Sequence, residues 1–174
     1  MSNMAKAMRE HCGCDADVEK AAPIMAEYIA TTRALHLWFH GAHNVTRGTG
    51  FAGDHELIYG KIYKRVQDDI DGLIEKAVGL LEDEELACPT AITSRAAEIL
   101  SDYPSPSRMT SLAIAAAGKS LVKAYLKFLS HISDELKASG VMTLGLEDFI
   151  ASAANVYEDF VYLLQQREKS ELQN

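Results

Sequence analysis

Apolar side chains recur at three-and-four spacing along most of this chain, and no stretch alternates with a strand period of two. From about Val18, the residues Ile24, Met25, Tyr28, Ile29, Leu35 and Phe39 mark a first amphipathic helix. Pro23 suits only its first turn, so regular structure is expected from there, and Gly41 and Asn44 are stop signals. Residues 45 to 53 hold three glycines without a periodic pattern and are expected to form a loop. That loop lacks the strand and lysine context of a phosphate-binding loop. Asp54 is a candidate N-cap for a second helix running to about Glu84, with the stripe Ile58, Ile62, Val66, Ile70, Leu73, Ala77 and Leu80. A short segment, Ala87 to Leu100, is fenced by Pro89 and by the Tyr-Pro-Ser-Pro-Ser run at 103–107. A third long helix is expected from about Arg108 to Ser139, burying Leu121, Tyr125 and Ile132, with Gly140 as its stop. The fourth spans about Leu146 to Glu168 and buries Phe149, Ala153, Tyr157, Phe160 and Leu164.

These elements add up to an all-α fold: a four-helix bundle with a short extra helix in the crossover between the second and third long helices. If those two helices are parallel, the chain must cross from one end of the bundle to the other, and residues 85–107 are long enough to do so. With 174 residues, one core and one domain are expected. Residues 1–16 are expected to form a flexible N-terminal arm and 17–170 the bundle domain.

Charge and cysteine content narrow the function classes. A net charge of -8 argues against a nucleic-acid binder that works through its whole surface. Lys6 and Arg9 in the arm are offset by Glu10, Asp15 and Asp17, and the stretch from Arg167 to Glu171 is balanced, so DNA binding is expected to be weak or absent. Three cysteines, at 12, 14 and 88, fit a reducing compartment, and Cys12 and Cys14 beside His11 read as a reduced pair. No apolar run reaches the roughly 18 residues of a spanning helix, and the start lacks a signal-peptide stretch, which predicts a cytoplasmic protein with no membrane partner.

Candidate chemistry concentrates between His36 and Glu75. His36, His40 and His43 close the first helix, while Glu56, Asp68, Asp71 and Glu75 are spaced along the second. Imidazoles with carboxylates suit iron, manganese or zinc, and ligand type alone does not choose among them. Glu56 and Asp71 are fifteen residues apart, about 22 Å on a helix, too far to share a metal within one chain. His36 and Glu56 lie near the junction of two antiparallel helices, and Asp71 and Glu75 are one turn apart on one face. A two-fold dimer packing the second helices antiparallel would bring the His36 and Glu56 end of one chain against Asp71 and Glu75 of the other, creating two equivalent sites. The bland alternative makes Asp68, Asp69 and Asp71, with Lys64, Arg65 and Lys76, a solvated ion-paired face. His40 reads as a packed or surface residue, and Tyr59 and Tyr63 as core or interface aromatics. The Glu-x-x-His pairs of a metal site within one bundle are missing from the second and fourth helices, and His131 has no Glu three residues before it. Asp134, Glu135, Glu147 and Asp148 flank the last turn, where acids either attract cations or cap helices.

From about residue 20 to 168 the chain resembles the Dps-like mini-ferritins of the ferritin-like superfamily. The helix lengths match, as does the Tyr103-Pro104 step before the third long helix. In that family a ligand His on the first helix is followed by a Trp, with Gly five and often His seven residues on. His36, Gly41 and His43 stand at those offsets, and Trp38 stands one place later than the usual Trp. The family's second helix carries a His, an acid four residues on, an Asp at fifteen and a Glu at nineteen. Asp71 and Glu75 match the last two, whereas Glu56 occupies the His position, with His55 beside it, and Gly60 occupies the acid position. The resemblance implies a homo-oligomer, a hollow twelve-subunit cage built from two-fold dimers. It implies an inter-subunit ferroxidase site that oxidises Fe(II) with hydrogen peroxide or oxygen, and storage of the ferric product inside. His36, Glu56, Asp71 and Glu75 would then be the iron ligands, and Trp38 an aromatic that intercepts one-electron oxidants. The departures at Glu56 and Gly60 weaken the second iron position. They keep open an alternative, a catalytically weakened Dps-like cage acting as a structural or DNA-associated protein.

Overall fold

In the computed structural model the chain is described from residue 15 to 170, with side chains from 18 to 169. The cysteine pair at 12 and 14, His11, Lys6, Arg9 and Glu10 lie outside the described residues, as does Glu171. Among the described residues there are five α-helices: α1 (Asp15–Val45), α2 (Lys61–Leu81), α3 (Pro89–Ser101), α4 (Ser111–Ala138) and α5 (Leu144–Ser170). A π-helical segment, Gly53–Gly60, leads into α2, and short 3-10 turns lie at Glu84–Ala87 and Pro106–Arg108. No strand occurs among the described residues, nor any helix long and apolar enough to cross a membrane.

The periodic stripes become one core. Met25, Tyr28, Ile29, Leu35 and Phe39 of α1 meet Ile62, Val66, Ile70 and Leu73 of α2, with Leu121, Leu129 and Ile132 of α4 and Tyr157, Phe160 and Leu164 of α5. Each such side chain removed from water contributes roughly 1.5–3 kcal/mol. At the end of the α2 stripe the inward residue is Leu81, 6% exposed, rather than Leu80 at 38%, because the helical step from Ala77 is four residues.

Direction is fixed by contacts across the crossover. Arg95 of α3 grips both carboxylate oxygens of Glu27 at 2.8 Å, Trp38 donates its indole N–H to the Pro104 carbonyl at 3.0 Å, and Ser111 donates to the Arg47 carbonyl at 2.8 Å. The chain from 82 to 110 therefore runs alongside α1 toward its C-terminal end, and α4 starts at the same end as α2. The two are parallel, and a long connection is the geometric consequence.

Four local expectations need correction. Pro23 lies within α1, which begins at Asp15, and the helix tolerates it on an exposed face. Gly41 does not stop α1, which runs to Val45. A Cβ there would come 3.3 Å from Pro106 Cγ, so glycine lets the crossover pass close to the helix. The break itself is shorter than expected, Thr46 to Gly50, turning at Gly48 with φ +92°, and helix resumes at Phe51. Because helix starts three residues early, Asp54 is not a side-chain cap. It is 2% exposed and its Oδ1 accepts from Arg167 Nε of α5 at 2.7 Å.

Candidate functional site

The histidines of α1 sit at i, i+4 and i+7 and share a face, gathered around one ring of α2. Tyr63 lies 6.0 Å from His36, 5.0 Å from His40 and 4.9 Å from His43, centroid to centroid. His36 stacks on His40 at 5.8 Å. His36 is 9% exposed, and its Nδ1 is buried without a hydrogen-bond partner among the described residues. Burial, reinforced by the charges of Arg33 and His40, pushes its pKa down to about 4, so at neutral pH it is a neutral imidazole with an unclaimed nitrogen.

The π-helical segment places the next histidine. A π turn takes up about one residue more than an α turn, so residues before it are rotated relative to simple counting from α2. His55 rather than Glu56 therefore turns toward α1. The rings of His43 and His55 stack 3.7 Å apart at 19°. His43 donates Nδ1–H to the His55 carbonyl at 2.8 Å, and His55 donates Nδ1–H to the His43 carbonyl at 2.9 Å. A carbonyl only accepts, so these two bonds put a proton on each Nδ1, and the neutral form of either ring carries its lone pair on Nε2. His55 Nε2 lies 3.4 Å from Glu56 Oε1. Two acceptors facing each other at that distance suit a proton or a cation between them. Two atoms bound at about 2.1 Å to one ion adopt a similar spacing.

Gly60 is required by the same turn. A Cβ there would fall 2.6 Å from the His55 carbonyl oxygen and 3.3 Å from His43 Nδ1. The space a side chain at position 60 would fill is thus occupied by the backbone of the chain's own histidine pair.

The other candidate residues do not join His36 within one chain. Glu56 is 58% exposed and reaches Lys64 at 3.9 Å. Asp71 and Glu75 are exposed on the outer face of α2. Among the described residues, no three His, Cys, Asp or Glu side chains converge to hold a metal ion. Trp38 is 4% exposed, packs edge-on against Phe39 at 5.0 Å, and holds the crossover through Pro104.

Asp69 departs from the expected solvated face. Asp68 and Asp71 are exposed, but Asp69 is 6% exposed, accepting from Arg65 Nε and from the Tyr157 hydroxyl, each at 2.8 Å. Its position was available in the spacing, since it lies three residues after Val66 and four before Leu73, on the buried stripe. Above it, Thr32 shares a 2.7 Å hydrogen bond with the Tyr125 hydroxyl and donates to the Tyr28 carbonyl at 2.7 Å. Burial raises the pKa of Tyr28, Tyr125 and Tyr157 well above the ordinary phenol value.

No protein-family model matches this chain, and no curated protein sequence matches it either.

Proposed function

We propose that this chain is a subunit of a Dps-like mini-ferritin, an iron-oxidising and iron-storing cage assembled in the cytoplasm from two-fold dimers, with DNA binding weak or absent. The observation that carries the proposal is the unclaimed nitrogen donors at one end of the bundle. His36 is a neutral imidazole whose buried Nδ1 has no partner among the described residues, and His55 Nε2 is set against the Glu56 carboxylate at 3.4 Å. The helix order supports it: parallel α2 and α4 joined by a long crossover is the connection of ferritin-like bundles.

The complementary acids come from a second subunit. Asp71 and Glu75 lie exposed on α2, and two α2 helices packed antiparallel across a two-fold axis bring them to the histidine end of the partner. Apolar surface at that end, Leu57 at 70%, Phe51 at 47% and Leu37 at 37% exposure, is what such a partner would cover. In the dimer His36 and the His55–Glu56 edge supply nitrogen and oxygen donors, and Asp71 and Glu75 supply the negative oxygens that favour Fe(III) over Fe(II). Iron is the substrate: two Fe(II) ions give one electron each to hydrogen peroxide, which takes two protons and leaves as water.

A second proposal, a cage with weakened chemistry and a structural role, is favoured by Gly60, where no acid can stand without displacing the His55 carbonyl. The two are separated by an anaerobic Fe(II) titration followed by a peroxide pulse, recording ferric absorbance for the native chain and for Asp71→Ala with Glu75→Ala. Fast oxidation that the double variant loses supports the inter-subunit ferroxidase. Oxidation no faster than in buffer, from assembled particles, refutes it and leaves the structural cage.

A further inference from the structure

All four long helices contribute to a polar layer across the middle of the bundle: Tyr28 and Thr32 from α1, Arg65 and Asp69 from α2, Tyr125 from α4 and Tyr157 from α5. The Tyr125 and Tyr157 rings meet edge to face at 5.0 Å, and Tyr157 donates its hydroxyl to Asp69 at 2.8 Å. Arg65 holds the other Asp69 oxygen at 2.8 Å. Stability does not require such a layer, because well-packed apolar side chains replace buried ion pairs at no cost in many proteins. Its chemistry is more specific. A buried tyrosine gives up an electron readily only if its phenolic proton has somewhere to go, and burial disfavours both the phenoxide and the radical cation. Tyr157 is the member hydrogen-bonded to a carboxylate, whereas the Tyr125 hydroxyl meets the Thr32 hydroxyl.

We propose that Tyr157, with Asp69 as its proton acceptor and Tyr125 and Tyr28 packed beside it, is an internal one-electron donor that quenches strongly oxidising species inside the protein. In the step, an electron leaves the Tyr157 ring for a one-electron oxidant of the hydroxyl-radical class, which is reduced. The phenolic O–H bond breaks and its proton crosses the hydrogen bond to Asp69 Oδ2, leaving a neutral phenoxyl radical and a neutral carboxylic acid. An electron from a thiol or Fe(II) reverses both movements. The layer is close to the histidine end, since Thr32, which holds the Tyr125 hydroxyl, lies one turn before His36 on α1, about 6 Å along the axis. For the cellular source of the oxidant, iron reacting with peroxide, the inference rests on the proposed function.

The test is made on the full metal-free chain, so it does not depend on iron chemistry. Photogenerated tris(bipyridyl)ruthenium(III) supplies the oxidant, and freeze-quenched samples are read by electron paramagnetic resonance. Tyr103→Phe with Tyr162→Phe forms the background, removing the two tyrosines that are 38% and 61% exposed. A persistent tyrosyl signal is expected, with an exchangeable proton coupling in deuterium oxide, and Tyr157→Phe should abolish it. Asp69→Asn should leave a short-lived signal without that coupling, while Tyr157→Phe, which keeps the Arg65–Asp69 pair, guards against a folding artefact. An unchanged signal in Tyr157→Phe, or one residing on Trp38, overturns the inference. A radical in a protein without ferroxidase activity would sink the proposed function and leave this donor standing.

Discussion

Replacing Gly60 by alanine places a methyl group 2.6 Å from the His55 carbonyl oxygen, where ordinary contact begins at 3.4 Å. That oxygen belongs to the backbone and accepts from His43, so it cannot swing aside as a side chain would. Overpacking of this kind costs about 1–3 kcal/mol. Loss of the paired histidine hydrogen bonds adds about 1 kcal/mol. Against this, alanine gains up to about 1 kcal/mol over glycine within a helix. The balance is a destabilisation of about 2 kcal/mol, which for a chain of this size lowers the thermal midpoint by about 4–8 °C. Gly79 supplies the control, since it lies within α2 with nothing within 4 Å of an added Cβ. Gly79→Ala should raise the midpoint by the helix-propensity term alone, roughly 1 kcal/mol at most. Circular dichroism melts of both variants against the native chain make the comparison. If Gly60→Ala is stabilised as much as Gly79→Ala, the π-helical turn does not depend on glycine and the account of the histidine pair is wrong. Gly60→Asp, which places a larger, charged side chain in the same space, is expected to be destabilised further.

His36 has its folded pKa lowered to about 4 from 6.5, so between those values the unfolded chain binds more protons than the folded one. Stability should therefore fall as pH drops from about 6.5 to about 4, and His36→Gln should flatten that slope in thermal melts. Asp54→Ala breaks the buried pair with Arg167, whose side chains are 2% and 11% exposed, and should lower the urea midpoint by the equivalent of up to about 3 kcal/mol. Arg95→Ala removes the clamp of α3 on Glu27, but both partners are more than a third exposed and screened by solvent, so the midpoint should move little in the same assay.

The long helices and the crossover were legible in the chain because helical periodicity is a local property. Apolar residues three and four apart share a face whatever the helix packs against, and Ile62, Val66, Ile70 and Leu73 were readable on that ground. The face carrying Asp71 and Glu75 was readable in the same way. Choosing between His55 and Glu56 was not. Counting back from Asp71 assumes 3.6 residues per turn, and the π-helical segment breaks that assumption where α1 meets α2. The spacing puts Asp69 on the buried stripe but does not show that Tyr157 will meet it there, and Asp54 reads as a cap, because the partners Tyr157 and Arg167 stand 88 and 113 residues away. Gly41 read as a helix stop because the chain does not reveal that Pro106 will press on it. Burial of a charge, the winding of a turn and the need for a missing side chain depend on what arrives from the far end of the chain, and only the packed bundle brings those groups together.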